Sequence, residues 1–311
     1  MTEAWIFPGQ GSQAVGMGRD LHDRHPEARA VFEEADAALG FGLAALCFEG
    51  PEAELRRTEV TQPALLTVSA AALAVLRAAG RRPAAVAGHS LGEYSALVAA
   101  GVLRFADAVR IVRRRGAFMQ EAVPEGEGGM AAILGLDAGQ VAACCEDTVR
   151  AGGGVVQCAN LNAAGQVVIA GTAGAVEAAG RLARERGARR VLPLNVSAPF
   201  HCALMEPAAR RLEPLLAELP FVDAACPVWT NVDARPETRG EALRSALIRQ
   251  VAAPVRWEET VRGLGAAGHT EFLEVGPGTV LAGLVRRTLP EAHVRPAGDE
   301  TALAALATAA P

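Results

Sequence analysis

The chain has 311 residues, half of them hydrophobic and 21% charged, with a formal net charge of −5 at neutral pH. That length can bury a large core, in one large domain or two smaller ones. The mildly acidic balance gives no electrostatic case for nucleic acid or an anionic membrane, so neither is expected as a partner.

The first residues, Met1-Thr2-Glu3-Ala4-Trp5, have no basic segment followed by an apolar one. No secretion signal is therefore expected, and the expected compartment is the cytoplasm. Ala4-Trp5-Ile6-Phe7 reads as a short buried strand that stops at the tight loop Pro8-Gly9-Gln10-Gly11-Ser12-Gln13. Helical patterns follow over 26–39 and 62–79. The apolar stretch 64–76, broken by Thr67 and Ser69, is too short to span a bilayer and reads as a buried helix. Residues 84–88 read as a second buried strand that turns at His89-Ser90 into a helix over 91–100. Another helix is expected over 106–121.

The composition shifts at Pro124-Glu125-Gly126-Glu127-Gly128-Gly129. The pattern then runs strand 130–134, helix 138–149, strand 155–159, strand 166–170, helix 173–186, strand 189–194. This βαββαβ order is that of a ferredoxin-like split unit. Residues 126–195 therefore read as an inserted small domain, and 1–125 with 196–311 as the main core. Val228-Trp229 and Phe272-Leu273-Glu274-Val275 are the clearest later strands, and 301–311 reads as a terminal helix. Strands alternating with helices give an α/β class, with a parallel sheet covered on both faces.

Six cysteines are present, with no CxxC pair and no Cys/His group at zinc spacing. They read as buried, reduced thiols, and no metal is expected.

Gly88-His89-Ser90-Leu91-Gly92 is a G-x-S-x-G sequence between an expected strand and helix. Such a sharp turn lifts a serine oxygen out of the sheet. It also puts the next N–H at a helix N-terminus, where an oxyanion is stabilised. The same residues would also suit a serine that caps the helix. A nucleophilic serine needs a base. His22 and His25 lie in a charged stretch and read as solvated. His269 precedes a strand, and His293 is near the polar C-terminal end. His89 adjoins Ser90 on an extended segment, where neighbouring side chains point to opposite faces, so it is a poor base. His201 follows the small domain in Val196-Ser197-Ala198-Pro199-Phe200-His201-Cys202, a loop suited to a catalytic residue but also to an ordinary histidine.

Several segments together resemble one family. They are Phe7-Pro8-Gly9-Gln10-Gly11-Ser12-Gln13, Gly88-His89-Ser90-Leu91-Gly92-Glu93-Tyr94 and Arg115-Gly116-Ala117-Phe118-Met119-Gln120. With them go Asn160-Leu161-Asn162, Gly165-Gln166-Val167-Val168-Ile169-Ala170-Gly171, His201-Cys202-Ala203-Leu204-Met205 and Glu274-Val275-Gly276-Pro277-Gly278. In order and spread over nearly the whole chain, they are similar to the malonyl-CoA:acyl-carrier-protein transacylases, a family that includes acyltransferase domains of polyketide synthases.

The resemblance implies a hydrolase-like α/β core with a ferredoxin-like insertion. It implies Ser90 as nucleophile and His201 as base, with His201 oriented by the main-chain carbonyl of Gln250 and not by an aspartate. The N–H groups of Gln10 and Leu91 would form the oxyanion hole. Arg115 would grip the malonyl carboxylate, although Arg110, Arg113, Arg114 and Arg115 alone read as a solvated basic run. His89, Asn160, Asn162 and Phe200 would line the substrate pocket; the two asparagines also suit a turn. Phe200 resembles the malonyl pattern of polyketide domains. Ser197 stands where many relatives carry an additional histidine, as in the stand-alone fatty-acid enzymes. Malonyl-CoA is the implied substrate, and no bound cofactor is expected. The implied partner is an acyl carrier protein, from fatty-acid synthesis or a polyketide synthase carrier domain acting in trans, which brings its own phosphopantetheine. Arg286 and Arg287 are candidate contacts for it. A hydrolase of wrong acyl groups would use the same Ser90 and His201, and a non-catalytic docking subunit would need neither.

Overall fold

A computed structural model describes residues 3–308. Among the described residues, ten strands form two sheets. The larger contains β1 (Ala4–Phe7), β2 (Ala85–Gly88), β7 (Val228–Trp229), β8 (Pro236–Glu237), β9 (Glu271–Glu274) and β10 (His293–Pro296), in the order β10-β9-β1-β2-β7-β8. All its pairings are parallel except that of β7 with β8. The smaller sheet has β3 (Gly128–Leu134), β4 (Val156–Ala163), β5 (Gln166–Thr172) and β6 (Arg190–Pro193), in the order β4-β5-β3-β6 and wholly antiparallel. The parallel core and the separate antiparallel sheet agree with the expected fold class. The second sheet has the strand order of a ferredoxin-like unit.

Alternation along the strands explains how the core is divided. On β1, Trp5 and Phe7 join one apolar cluster, while Ala4 and Ile6 join another on the opposite face. Val86 and Ala87 of β2, and Val228 and Trp229 of β7, split in the same way. A parallel sheet covered on both faces needs such continuous apolar strands. In the small sheet, Ala131 and Ile133 face the helices Ala138–Arg150 and Ala173–Glu185, whereas Met130 packs into the main core. The small sheet is thereby anchored to the large one by its second face.

Some boundaries differ from the sequence pattern. The helix expected over 62–79 is Thr58–Ala78, with five helical residues, 58–62, ahead of Pro63. It is long and apolar enough to cross a membrane, but 89% of that window is buried inside the protein, so it is a core helix. Strand β4 runs on to Ala163, which places Asn160 and Asn162 in a strand and not in a turn. Three short helices, Arg19–Arg24, Leu43–Glu49 and Glu52–Leu55, and strands β8 and β10 have no clear sequence signal. His22 and His25 are half-buried, not solvated. His22 stacks near Phe32 and Phe48, and His25 bonds Glu300 of the last helix, Glu300–Thr308. The expected residues 309–311 of that helix lie outside the described residues. Cys47, Cys144, Cys145 and Cys202 are buried free thiols, while Cys158 and Cys226 are half-buried.

The parallel arrangement brings the carboxyl ends of β1, β2 and β7 to one edge, where open α/β sheets place their sites. Glycines make the turn there possible. A Cβ on Gly88 would lie 1.9 Å from the main chain of Gly92, and one on Gly92 would lie 2.1 Å from the Phe7 carbonyl oxygen. The helix Gly92–Ala99 thus begins in direct contact with β1. Gly92→Ala should therefore destabilise the chain by roughly 3 kcal/mol, because the obstacle is main chain and cannot rotate away. Urea unfolding measures this, and an unchanged midpoint would contradict the close-contact argument.

Candidate active site

Ser90 sits at the tip of the turn after β2 with φ 52°, a left-handed conformation that a non-glycine residue rarely adopts. Strain of this kind persists only where surrounding bonds over-determine it. Here the Oδ1 of Asn231 accepts the Ser90 N–H at 2.7 Å, and its Nδ2 donates to the Gly88 carbonyl at 2.6 Å. The Ser90 carbonyl accepts the Nε2–H of Gln250 at 2.8 Å. Both main-chain groups of the serine are held by side chains from elsewhere in the fold.

The Ser90 hydroxyl has two neighbours. Its Oγ lies 2.7 Å from Nε2 of His201, and Nη2 of Arg115 donates to it at 3.2 Å. His201 is also left-handed, with φ 61°, and is 3% exposed. Its Nδ1 lies 2.9 Å from the Gln250 carbonyl oxygen. A carbonyl can only accept, so Nδ1 carries the proton and Nε2 presents its lone pair to Ser90. Burial, reinforced by the charge of Arg115, pushes the His201 pKa down to about 3. The imidazole is therefore neutral at physiological pH and able to take a proton.

Arg115 is 1% exposed. Helical periodicity explains why it differs from its neighbours. It shares a buried face of the helix Phe105–Glu121 with Ala108, Ile111, Val112 and Met119, while Arg110 and Arg114 turn outward. The basic run is thus a solvated face for Arg110 and Arg114 but not for Arg115. Gly116 allows this face to approach closely, since a Cβ there would lie 2.5 Å from the Thr58 carbonyl oxygen. Nη1 of Arg115 donates to Oε1 of Gln62 and Nη2 to Oε1 of Gln250, each at 2.8 Å. The guanidinium carbon stands 5.6 Å from the Tyr94 ring centroid. Among the described residues its Nε has no partner. Burial lowers the Arg115 pKa, opposed by the charges of Tyr94 and Glu93.

The remaining expected residues surround this centre. Among the described residues, no main-chain acceptor takes the N–H of Gln10 or of Leu91. The Gln10 side chain reaches Thr58 Oγ1 at 3.5 Å, and that hydroxyl lies 2.7 Å from Ser197 Oγ, linking the β1 loop to the loop of His201. His89 lies in the bend just past β2 and makes no side-chain bond to Ser90 among the described residues. Its Nε2 lies 2.8 Å from Asn162 Oδ1, and its ring meets Trp257 edge-on at 5.6 Å. Burial lowers its pKa. Asn160 is 8% exposed; its strand is fixed by the bond from Leu161 N–H to the Val255 carbonyl at 2.9 Å. Among the described residues no side-chain bond joins Asn160 to Ser90, His201 or Arg115. Phe200 packs in the main core beside His201. Asn231, Gln62 and Glu93 are further hydrogen-bonded neighbours of this centre that the sequence did not single out as site residues. The signal available for Asn231 was its place just after β7.

A family model described as an acyl transferase domain matches residues 4–307. The malonyl CoA-acyl carrier protein transacylase of Escherichia coli (strain K12) is 52% identical over 307 residues, covering 98% of this chain and 99% of that protein. The structure of an acyl carrier protein S-malonyltransferase from Vibrio cholerae superimposes with a TM-score of 0.96 at 48% identity, covering 98% of this chain and all of that one. A malonyl-transacylase solved in complex with a holo type II PKS acyl-carrier protein superimposes with a TM-score of 0.95 at 47% identity, covering 98% of each chain. With matches of this extent and identity, the chain belongs to the malonyl CoA-acyl carrier protein transacylase family.

Proposed function

We propose that this chain transfers a malonyl group from malonyl-CoA to the phosphopantetheine thiol of an acyl carrier protein through an ester on Ser90. The observation that carries this reading is the shared contact at the serine. One hydroxyl lies within hydrogen-bond reach of a neutral, buried histidine and of a buried guanidinium that makes no ion pair among the described residues. The histidine suits acyl transfer, and the guanidinium suits an acyl group that brings its own carboxylate.

In the first step the malonyl carboxylate pairs with Arg115. Ser90 Oγ attacks the thioester carbonyl as His201 Nε2 takes its proton. The Gln250 carbonyl holds the other ring nitrogen, so the imidazolium forms already oriented. The N–H groups of Gln10 and Leu91 stabilise the oxyanion, a contribution of about 3 kcal/mol per donor in comparable sites. The departing CoA sulfur takes the proton from His201. In the second step His201 takes the proton of the carrier thiol, whose sulfur attacks the ester carbonyl, and returns that proton to Ser90 Oγ as the ester bond breaks. These steps need no group beyond the two thiols and the acyl chain. Residues 126–195 act as a small domain over the catalytic core formed by 1–125 and 196–311, with Asn162, Asn160, His89 and Phe200 on the pocket wall. The carrier serves fatty-acid or polyketide synthesis. The transfer takes place in the cytoplasm.

A proofreading hydrolase is the alternative use of Ser90 and His201. The buried Arg115 disfavours it, because short neutral acyl groups give the cation nothing to pair with.

Arg115→Ala separates these readings. Without the cation, the malonyl carboxylate enters a dry pocket unpaired, at a cost of several kcal/mol. Malonyl loading should fall by on the order of a hundredfold or more, at about 1.4 kcal/mol per decade. Acetyl loading should be unchanged or rise. Equal loss of both, measured as acylation rates with malonyl-CoA and acetyl-CoA, would show that Arg115 supports the fold or binds CoA, and would refute the specificity role.

The carrier reading concerns Arg287. It is exposed and reaches Gln166 of β5 at 3.0 Å, whereas Arg286 is tied to the Val294 carbonyl of β10. Both arginines are exposed, but the bond made by Arg286 is part-buried and that of Arg287 is exposed, so Arg287 is the better placed to meet an acidic partner. Arg287→Glu should slow transfer to the carrier at low ionic strength, with less effect in high salt, while leaving loading from malonyl-CoA intact. Unchanged carrier turnover at low salt would remove Arg287 from the docking surface.

A further inference from the structure

Behind the site lies a buried carboxyl that none of these steps uses. Glu93, three residues after Ser90, is 1% exposed. Its Oε2 accepts the main-chain N–H of Asn231 at 3.1 Å and the Nε2–H of Gln250 at 2.9 Å. Its Oε1 has no partner among the described residues. The two residues it holds are the two that hold Ser90, by its N–H and its carbonyl respectively. The same Gln250 amide accepts Arg115 through its oxygen. Chemistry fixes that amide's orientation, because Arg115 can only donate and the Ser90 carbonyl can only accept. One amide group therefore separates the Glu93 carboxylate from the guanidinium. Arg115 and Glu93 also act on each other through charge.

We propose that Glu93 is a positioning residue for the transfer: through Asn231 and Gln250 it fixes both main-chain groups of Ser90, and its charge sets how strongly Arg115 attracts the carboxylate of an incoming acyl group. This rests on the reading of Ser90, His201 and Arg115 given above. When Glu93 is neutral, the malonyl carboxylate meets an uncompensated cation. When Glu93 is ionised, the incoming carboxylate is a second anion on one guanidinium and binds less tightly.

Burial lifts the Glu93 carboxyl to about 7, against the hydrogen bonds from Gln250 and Asn231. The groups around it do not change charge in that range. His201 is held down at about 3, and burial also lowers His89. Tyr94, on its own helix, is pushed up to about 12. Asp233, in the segment after β7, is lowered by its hydrogen bond to Arg249 of the helix Gly240–Gln250; the pair is half-exposed, and the Asp233 charge acts on Glu93. Arg115 remains a cation. Glu274 is also lifted to about 7, but its carboxylate caps the helix Val280–Thr288 and is the same in any Glu93 variant.

The test measures KM and kcat for loading from malonyl-CoA and acetyl-CoA between pH 6 and 9, in the wild type, Glu93→Gln and Glu93→Leu. The wild-type KM for malonyl-CoA should rise with pH by roughly three- to tenfold, the size of a coupling of up to one pKa unit. In Glu93→Gln it should stay near its low-pH value. The acetyl-CoA KM should show no such difference between the two proteins. Glu93→Leu leaves the Asn231 and Gln250 donors without an acceptor. It should lose on the order of a hundredfold in kcat with both donors, as a displaced nucleophile does. Glu93→Gln, which keeps an acceptor oxygen there, should recover most of that loss. A malonyl KM that follows the same pH curve in wild type and Glu93→Gln would overturn the charge role. Wild-type kcat in Glu93→Leu would overturn the positioning role. A wild type that forms no ester on Ser90 would instead sink the underlying reading.

Discussion

A guanidinium withdrawn from water is expensive, and its cost shapes everything around it. The penalty for an ion in the interior is several kcal/mol unless its donors are met. Around Arg115 the two terminal nitrogens are met by neutral oxygens of Gln62, Gln250 and Ser90, with the Tyr94 ring alongside and Glu93 one amide away, while Nε has no partner among the described residues. None of these partners is a carboxylate in direct contact. A carboxylate in direct contact would offset the charge and weaken the attraction for the carboxylate of a substrate. The arrangement keeps the cation hydrogen-bonded and its charge available. The same charge helps to keep His201 neutral beside it. A malonyl carboxylate arriving on Arg115 would offset that charge and so make the imidazole more basic as the serine is to be deprotonated.

Gln250 ties these requirements together. Its carbonyl orients His201, its amide oxygen receives Arg115, and its amide nitrogen donates to the Ser90 carbonyl and to Glu93. The residue is fully buried at the end of the helix Gly240–Gln250. Ser90 itself comes from the far side of the sequence, on a turn that the Gly88 and Gly92 contacts make rigid. Two left-handed residues, Ser90 and His201, therefore face each other with little freedom to relax. This places the serine oxygen and the imidazole 2.7 Å apart.

Much of this was legible in the sequence, for physical reasons that can be named. Ala4-Trp5-Ile6-Phe7 is apolar at every position, and only a strand covered on both faces requires that. The small sheet was legible because its helices and strands alternate cleanly between loops. Ser90 announced itself through the glycines that flank it. Arg115 was harder. Its charge placed it in a basic run, and only its phase relative to Ile111, Val112 and Met119 marks it as buried. Asn231 and Glu93 were not read as site residues, because their roles depend on contacts spanning more than a hundred positions. Asn160 and Asn162 suited a turn by composition, yet pairing with β5 carries β4 through both. The ends of several elements were set by tertiary packing, as at Thr58, where the helix starts ahead of its proline.

The central claim is that the acyl group rests on Ser90 between the two thiols. Mixing the chain with malonyl-CoA, quenching in acid and mapping the peptides by mass spectrometry tests it most directly. The expected result is one malonyl adduct per chain, on the peptide containing Ser90, discharged when a carrier thiol is added. An unmodified Ser90 peptide, or an adduct on another residue such as Cys202 that the carrier removes equally well, would contradict it.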